Sequence, residues 1–400
     1  VTSLIKRATS EGKMKIGVDD QNQDLLAPVN SAAEQQMVEN GTALCLSGGG
    51  YRAMLFHAGA VWRLHEAGVL SRLKRISSVS GGSITAGVLA LNWQRIAGGD
   101  RSELERSFVE PLRKMASTTI DVGSILSGLV LPGRISDKVT AAYGKHLFGK
   151  ATLQDLPDDP VFVINATNVQ SGALWRFRKA YMRDYLVGEI VNPQVSIAKA
   201  VTASSAFPPF LSPVQLDLDP SAFTPGSGSF LQNESYTKKV ILSDGGVYDN
   251  LGLETVWKRY STVLVSDGGG KMAAESAPAS DWARHSRRVL DLVDNQVRAL
   301  RKRQLIASYK AAPSDAIHRD GAYWGIRSDI SNYGAPGALP CPHARTMALA
   351  ETPTRLAAMS GELQERLINW GYAVCDAALR RHVNNDLPPP AGFPYLRAGV

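Results

Sequence analysis

Residues 42–68 read TALCLSGGGYRAMLFHAGAVWRLHEAG. TALCL is a short buried strand and SGGGYR a glycine-rich turn. AMLFHAGAVWRLHEAG then carries apolar residues at helical spacing, with Gly68 placed to close the helix as a C-cap. The pattern recurs at once: KRISSV (74–79) is strand-like, SGG (80–82) is the turn, and SITAGVLALNWQR (83–95) is a mostly apolar helix. Two successive strand-turn-helix units imply parallel strands joined by right-handed crossovers, hence an α/β sheet covered on both faces.

Working outward, strand signals return at VFVINAT (161–167), ALWRFRKA (173–180), KKVILS (238–243) and STVLVS (261–266). Residues 101–150 read as a helical insertion. Within it the apolar stretch VGSILSGLVLPG (122–133) is expected to be a loop packed on the core, with a lid or membrane-touching element as the alternative. From Asp281 to Lys310 a long helical pattern carries 8 basic and 3 acidic residues, a local +5. Leu290, Val293, Val297 and Leu300 give it one apolar face, so its charges are expected on the other, solvated face. LPPPAGFPY (387–395) predicts an extended tail. The organisation expected is an arm over 1–40, a catalytic core over 41–275 with its insertion at about 100–150, and a C-terminal helical extension with a Pro-rich tail over 276–400.

Composition excludes several classes. With 44% hydrophobic and 20% charged residues, the 400-residue chain is neither disordered, collagenous nor coiled-coil. The net charge of +7 comes from 44 basic against 37 acidic residues, too mild an excess for a nucleic-acid partner but compatible with anionic surfaces. Cys45, Cys341 and Cys375 are too few and scattered for a disulfide framework or a metal site, and they read as buried thiols in a reducing compartment. No run reaches the roughly 18 apolar residues of a membrane span. VTSLIKRATSEGKMK (1–15) has no apolar signal region, so a cytoplasmic location is expected, with contact to a membrane only from outside.

Ser80, in ISSVSGGS between a strand and an apolar helix, has the context of a nucleophile elbow, where a sharp turn exposes the hydroxyl above the sheet. Ser78 stands where the first small residue of that motif belongs, and Gly81 and Gly82 follow. A serine attacking a carbonyl needs donors for the oxyanion. Gly48, Gly49 and Gly50 offer backbone N–H groups at a helix start, with Arg52 adding charge nearby. A phosphate-cradling loop is the competing reading, but GGGYRA lacks the Lys-[Ser/Thr] of a P-loop and is not G-x-G-x-x-G. For the base there are two candidates in like surroundings, Asp244 in VILSDGGVYDN and Asp267 in VLVSDGGG. Either could instead be a turn aspartate holding its own loop. A conventional triad would draw on His318, His343 or His382, none of which lies in a convincing strand-end loop.

SGGGYR (47–52), SVSGG (78–82), ASSAFPPF (203–210) and DGGVYDN (244–250), in this order, resemble the patatin-like phospholipases, a Ser-Asp dyad family of lipid acyl hydrolases. The resemblance covers roughly residues 42–270. It implies a three-layer α/β/α fold with a mainly parallel central sheet, Ser80 as nucleophile, Asp244 as its base, and an oxyanion hole built from Gly48, Gly49, Gly50, Arg52 and Gly81. Asp267 is then a bystander. Phe207 and Phe210 become candidates for an acyl-chain wall, with core packing as the alternative. Two departures bear on loop geometry: Ser47 stands where an acidic residue often opens the glycine loop, and Ala53 where a glycine often follows the arginine. The reaction implied is ester hydrolysis of a phospholipid or lysophospholipid through an acyl-enzyme, without metal or cofactor; separately, the +5 helical stretch and the apolar 122–133 segment are compatible with peripheral contact to an anionic membrane. Two alternatives stay open: a Ser-His-Asp esterase on small soluble esters using His343, and a non-catalytic nucleotide or phosphoinositide module using the glycine loop.

Overall fold

In β1 (Glu39–Leu46), Leu44 and Leu46 face one hydrophobic cluster while Ala43 and Cys45 face another, the two-residue period of a strand buried on both sides. The computed structural model describes residues 38–120, 134–208 and 211–400. Phe210, the 122–133 stretch and most of the 1–40 arm therefore lie outside the described residues. Val38–Val400 form one compact unit.

β1 pairs in parallel with β2 (Leu73–Ser78) on one side and β9 (Tyr260–Asp267) on the other. β2 continues to β3 (Val161–Asn168), and β9 to β10 (Asp320–Gly325), all parallel. This gives the expected parallel centre, in the order β10-β9-β1-β2-β3, with β10 supplied by the 276–400 stretch, expected from sequence to be helical. Beyond β3 the sheet turns antiparallel, through β4 (Leu174–Phe177), β5 (Tyr181–Asp184) and β6 (Gly188–Val191). The connections there are too short for a helical crossover, so hairpins are the only solution. A second antiparallel branch, β7 (Val214–Asp217) with β8 (Lys239–Asp244), joins the end of β3, where Ala166 pairs with Asp244.

One face of the sheet is covered by α1 (Gly50–Glu66) and α2 (Gly81–Leu91), with α3 (Arg134–Tyr143) and α4 (Ile197–Ser204) beside them. Every residue of α1 from Gly50 to Leu64 is buried, more than an amphipathic helix on a sheet requires. Its outer side is covered by a later helix, labelled α6 (Gly361–His382). The two touch through glycines: a Cβ on Gly59 would fall 1.9 Å from the Ile368 carbonyl, and one on Gly371 1.9 Å from that of Phe56. Arg63, buried by this contact, pairs with Asp376 of α6 at 2.8 Å. The opposite face of the sheet is covered by residues 251–260 and by α5 (Trp282–Lys310), whose Leu305 joins the smaller core cluster.

α5 reverses the expected amphipathicity over its first five turns. Val289, Leu290, Leu292, Val293 and Leu300 are exposed, and Trp282 is 83% exposed. The inward side carries charge instead: Arg298 lies 3.6 Å from Asp267, and Arg301 pairs with Glu254 at 3.0 Å. Buried carboxylates beneath the helix require cationic partners, and that requirement outweighs burial of a few aliphatic side chains.

Candidate active site

Ser80 lies immediately beyond the carboxyl end of β2, between that strand and α2. Its backbone is at φ 51° and ψ −120°. This region is unfavourable for any residue with a Cβ, and it turns the side chain out of the chain's path. The strained peptide is held by Ser204 of α4, whose Oγ accepts the Ser80 N–H at 3.0 Å. Ser204 is in turn linked to Ser83 at 2.9 Å, and Ser83 donates to Ser78 at 3.0 Å. The small residue expected at position 78 thus serves as a member of a buried serine chain under the elbow.

The glycine loop closes against the elbow backbone to backbone. A Cβ on Gly81 would meet the Gly50 carbonyl at 2.2 Å, and one on Gly48 would come within 3.1 Å of the Ser80 Cβ. Gly49 (φ 144°) and Gly50 (φ 61°) adopt conformations that favour glycine. The N–H groups of Gly49, Gly50 and Gly81 have no acceptor among the described residues, and they stand at the converging N-termini of α1 and α2, where the helix dipoles favour negative charge. Gly48 differs from this set, because its N–H already donates to the Asn250 carbonyl at 3.1 Å. Its contribution is space: Asn250 Oδ1 occupies the position a side chain on Gly48 would need.

Arg52 is 3% exposed, and its guanidinium faces away from an oxyanion role. Nε and Nη2 donate to the Gly268 carbonyl at 3.2 Å, and Nη1 to the carbonyls of Thr352 and Ala350. Burial and the neighbouring Arg298 and Arg327 push it down to about 10. It ties the glycine loop to the loop after β9, and the charge expected at the reacting centre is spent on carbonyls. Ser47 takes over a similar bracing task, accepting the Gly268 N–H at 2.8 Å.

Asp244 is buried at the end of β8. Its backbone is fixed on both sides, N–H to Ala206 at 3.0 Å and carbonyl accepting from Thr167 at 2.8 Å. Burial pushes the carboxyl up to about 7, opposed by hydrogen bonds from the Gly246 N–H, at 2.7 Å, and from the Ser80 hydroxyl; the negative charge of Asp294 on α5 raises it further. Asp267 is the reverse case. Buried equally, it is held below the usual carboxylate range by Arg298, by the Tyr323 hydroxyl at 2.7 Å and by the Gly269 N–H at 3.0 Å. It is a committed anion in an ion-pair cluster, far less basic than Asp244.

No histidine is brought to this pair by the contacts observed. His318 is engaged by the Ala311 carbonyl at 2.9 Å and by Asp320 at 3.3 Å. His343 is exposed at the start of a short helix, and His382 packs on Tyr333. His57, not considered from sequence, is buried between Ser266 (2.8 Å) and the Ser47 carbonyl (2.9 Å), and burial lowers it to about 4, so it is neutral. Phe207 is 45% exposed, which excludes the core-packing role. Sequence reasoning missed Ser204, Asn250 and Asp294; the first two lie inside the ASSAFPPF and DGGVYDN stretches, so only the motifs themselves could have pointed to them.

The sequence matches the family model for patatin-like phospholipases over residues 44–257. The chain belongs to the patatin-like phospholipase family. The matched span runs from within β1 to the segment that follows Asp244. Among solved structures, human GIVD cytosolic phospholipase A2 in complex with methyl gamma-linolenyl fluorophosphonate inhibitor and terbium chloride is 15% identical, with a TM-score of 0.49 over 90% of this chain and 60% of that one. A second structure of human GIVD cytosolic phospholipase A2 is 13% identical at a TM-score of 0.47, over 88% of this chain and 63% of that one. VipD from Legionella pneumophila is 16% identical, TM-score 0.38, over 86% and 67% of the two chains. The chain thus spans about six-tenths of the length of these phospholipase A2 structures. No curated protein sequence matches significantly. Among the described residues no helix is long and apolar enough to cross a membrane, and no group of three or more His, Cys, Asp or Glu side chains could hold a metal ion.

Proposed function

We propose that this patatin-like protein hydrolyses carboxylic esters of phospholipids or lysophospholipids through a Ser80–Asp244 dyad. The observation that carries the reading is a donor-bearing Ser80 on a strained turn facing a buried carboxylate pushed up to about 7, beside three free N–H groups. Asp244 takes the Ser80 proton as Oγ attacks the ester carbonyl. The oxyanion is received by the N–H groups of Gly49, Gly50 and Gly81, each donor worth about 3 kcal/mol in such a site. Collapse expels the lysolipid or alcohol with the proton held by Asp244, and the acyl-enzyme is cleared by a water that the same carboxylate deprotonates. A carboxylate at its reference value of about 4 is a poor base; the burial that raises Asp244 supplies the basicity a histidine supplies elsewhere.

The lipid is met at a membrane surface. The exposed Val247 lies three residues after Asp244, the exposed Phe207 follows Ala206, whose carbonyl accepts the Asp244 N–H, and α5, which carries Asp294, also bears the exposed apolar stripe. Exposed Arg287 and Arg303 accompany the stripe, suiting an anionic lipid layer. Fatty-acid release from mixed phospholipid vesicles, measured for the wild type, Ser80→Ala and Asp244→Asn, tests the core of this reading. Each variant is expected to lose roughly a thousandfold or more. Full activity in Asp244→Asn would refute the dyad.

A further inference from the structure

Arg75, Arg176, Arg178 and Arg183 gather on one face of the sheet where the parallel centre meets the antiparallel wing. Register fixes this: Arg75 pairs with Val161 on β3, Asn165 with Arg176, and Arg176 with Arg183. Alternation then places Arg75, Asn165, Arg176 and Arg183 on the same side, with Arg178 two residues beyond Arg176 and Tyr181 two before Arg183. Like charges directly across a sheet repel, so a cluster of this kind needs a reason to exist.

The compensation inside the protein is incomplete. Arg178 and Arg183 stand over the Tyr181 ring at 4.7 and 5.8 Å, and Arg75 over Tyr260 at 5.2 Å. Arg178 Nη1 donates to the Tyr181 hydroxyl at 3.0 Å and Arg75 Nη1 to the Thr255 carbonyl at 2.7 Å. Among the described residues one carboxylate is in reach, Glu189, 3.3 Å from Arg183. The Nε atoms of all four arginines are buried without a hydrogen-bond partner among the described residues. Arg75 is drawn below its ordinary value by burial and by Arg178 and Arg259. Burial would raise the Tyr181 phenol, yet Arg178, Arg176 and Arg183 hold it low.

We infer that this arginine face is a binding site for a phosphate-bearing anion, separate from the glycine loop. Planar guanidinium forks presenting paired N–H donors match phosphate oxygens bidentately, and aromatic rings keep the forks oriented while the site is empty. A phosphate seated on the half-buried Arg176, Arg178 and Arg183 would supply the missing anion and relieve the repulsion together, which no carboxylate among the described residues does. The inference stands apart from the hydrolase reading, since it concerns binding alone.

The test is isothermal titration of the full chain with inorganic pyrophosphate at low salt, beside flotation with phosphatidylcholine vesicles with and without phosphatidylinositol bisphosphate. Saturable pyrophosphate binding is expected, weakened roughly tenfold or more in Arg176→Gln/Arg178→Gln, and clearly weakened in Arg178→Lys, which keeps the charge but loses the fork. Flotation that depends on the phosphoinositide and on the same arginines identifies a lipid headgroup as the source; pyrophosphate binding without flotation identifies a soluble phosphate. Absence of both, or equal affinity in the wild type and Arg178→Lys, overturns the inference. The conservative variant retains charge and bulk, so its outcome is readable even if the double variant fails to fold.

Discussion

The sharpest consequence of a carboxylate base at about 7 is a pH profile with an acid limb in the neutral range. In the proposed dyad, Asp244 accepts the Ser80 proton only when ionised. At roughly pH 5 about 1% of it is, so kcat/KM lies about a hundredfold below its plateau, climbing tenfold per pH unit and levelling above roughly pH 8. A carboxylate at its ordinary value of about 4 would give a nearly flat profile over the same range. The second half of the prediction uses Asp294, whose negative charge adds to the rise of Asp244. Asp294→Asn removes that charge and frees Arg298 from one of its anionic neighbours, so both effects favour ionised Asp244 and move the limb to lower pH. The assay is kcat/KM on a soluble fluorogenic ester from roughly pH 5 to 9, which keeps vesicle binding out of the measurement. His57 does not confuse the result, because burial lowers it to about 4 and it is neutral throughout that window. A flat profile, or a limb that stays in place in Asp294→Asn, would refute the reasoning.

Three further outcomes follow from the same geometry. Asp244 is raised from 3.8 to about 7, so its ionisation costs fold stability as pH rises between these values; Asp244→Asn should therefore raise stability at pH above 7 by at most about 4 kcal/mol, seen as a higher Tm, with the gain vanishing near the unfolded value, read by thermal melts across pH. Ser80 holds φ 51° with a Cβ, so Ser80→Gly should be inactive yet more stable than Ser80→Ala by about 1 kcal/mol; equal melting temperatures would remove the strain from the account. Replacing Leu290 and Val293 by Asp should abolish vesicle binding and lipid hydrolysis while leaving soluble-ester kcat/KM unchanged, and unchanged vesicle flotation would show that the α5 stripe meets no membrane.

The first two strands of the parallel centre were legible in residues 42–95 because both strand-turn-helix copies are local and their glycines permit one kind of turn, whereas β10 went unread within a stretch expected to be helical. The antiparallel wing was less legible. β5, β6 and β7 are four residues each, too short to show a period, and their pairing is set by hairpins and by the docking of β8 on β3. α5 misled for a different reason. Its apolar period is genuine, but periodicity reports that one face differs from the other and says nothing of which faces the protein; Asp249, Glu254 and Asp267 beneath the helix decide that, and they lie 15 or more residues away in sequence.

The two Ser-Asp-Gly-Gly loops show most directly what sequence can and cannot assign. Asp267 ends β9, a parallel strand of the centre, which is where an α/β sheet ordinarily places its functional groups. Asp244 ends β8, which runs antiparallel to β3 and reaches Ser80 from the side. Topology alone favours Asp267. Charge reverses the choice: Arg298, Tyr323 and Gly269 satisfy Asp267 so fully that it has little affinity left for a proton, whereas the hydrogen-bond partners of Asp244 are the Gly246 N–H and the Ser80 hydroxyl, with Asp294 opposing its charge. A proton acceptor must be incompletely stabilised as an anion, and of the two buried aspartates only Asp244 is left in that condition beside a serine on a strained turn.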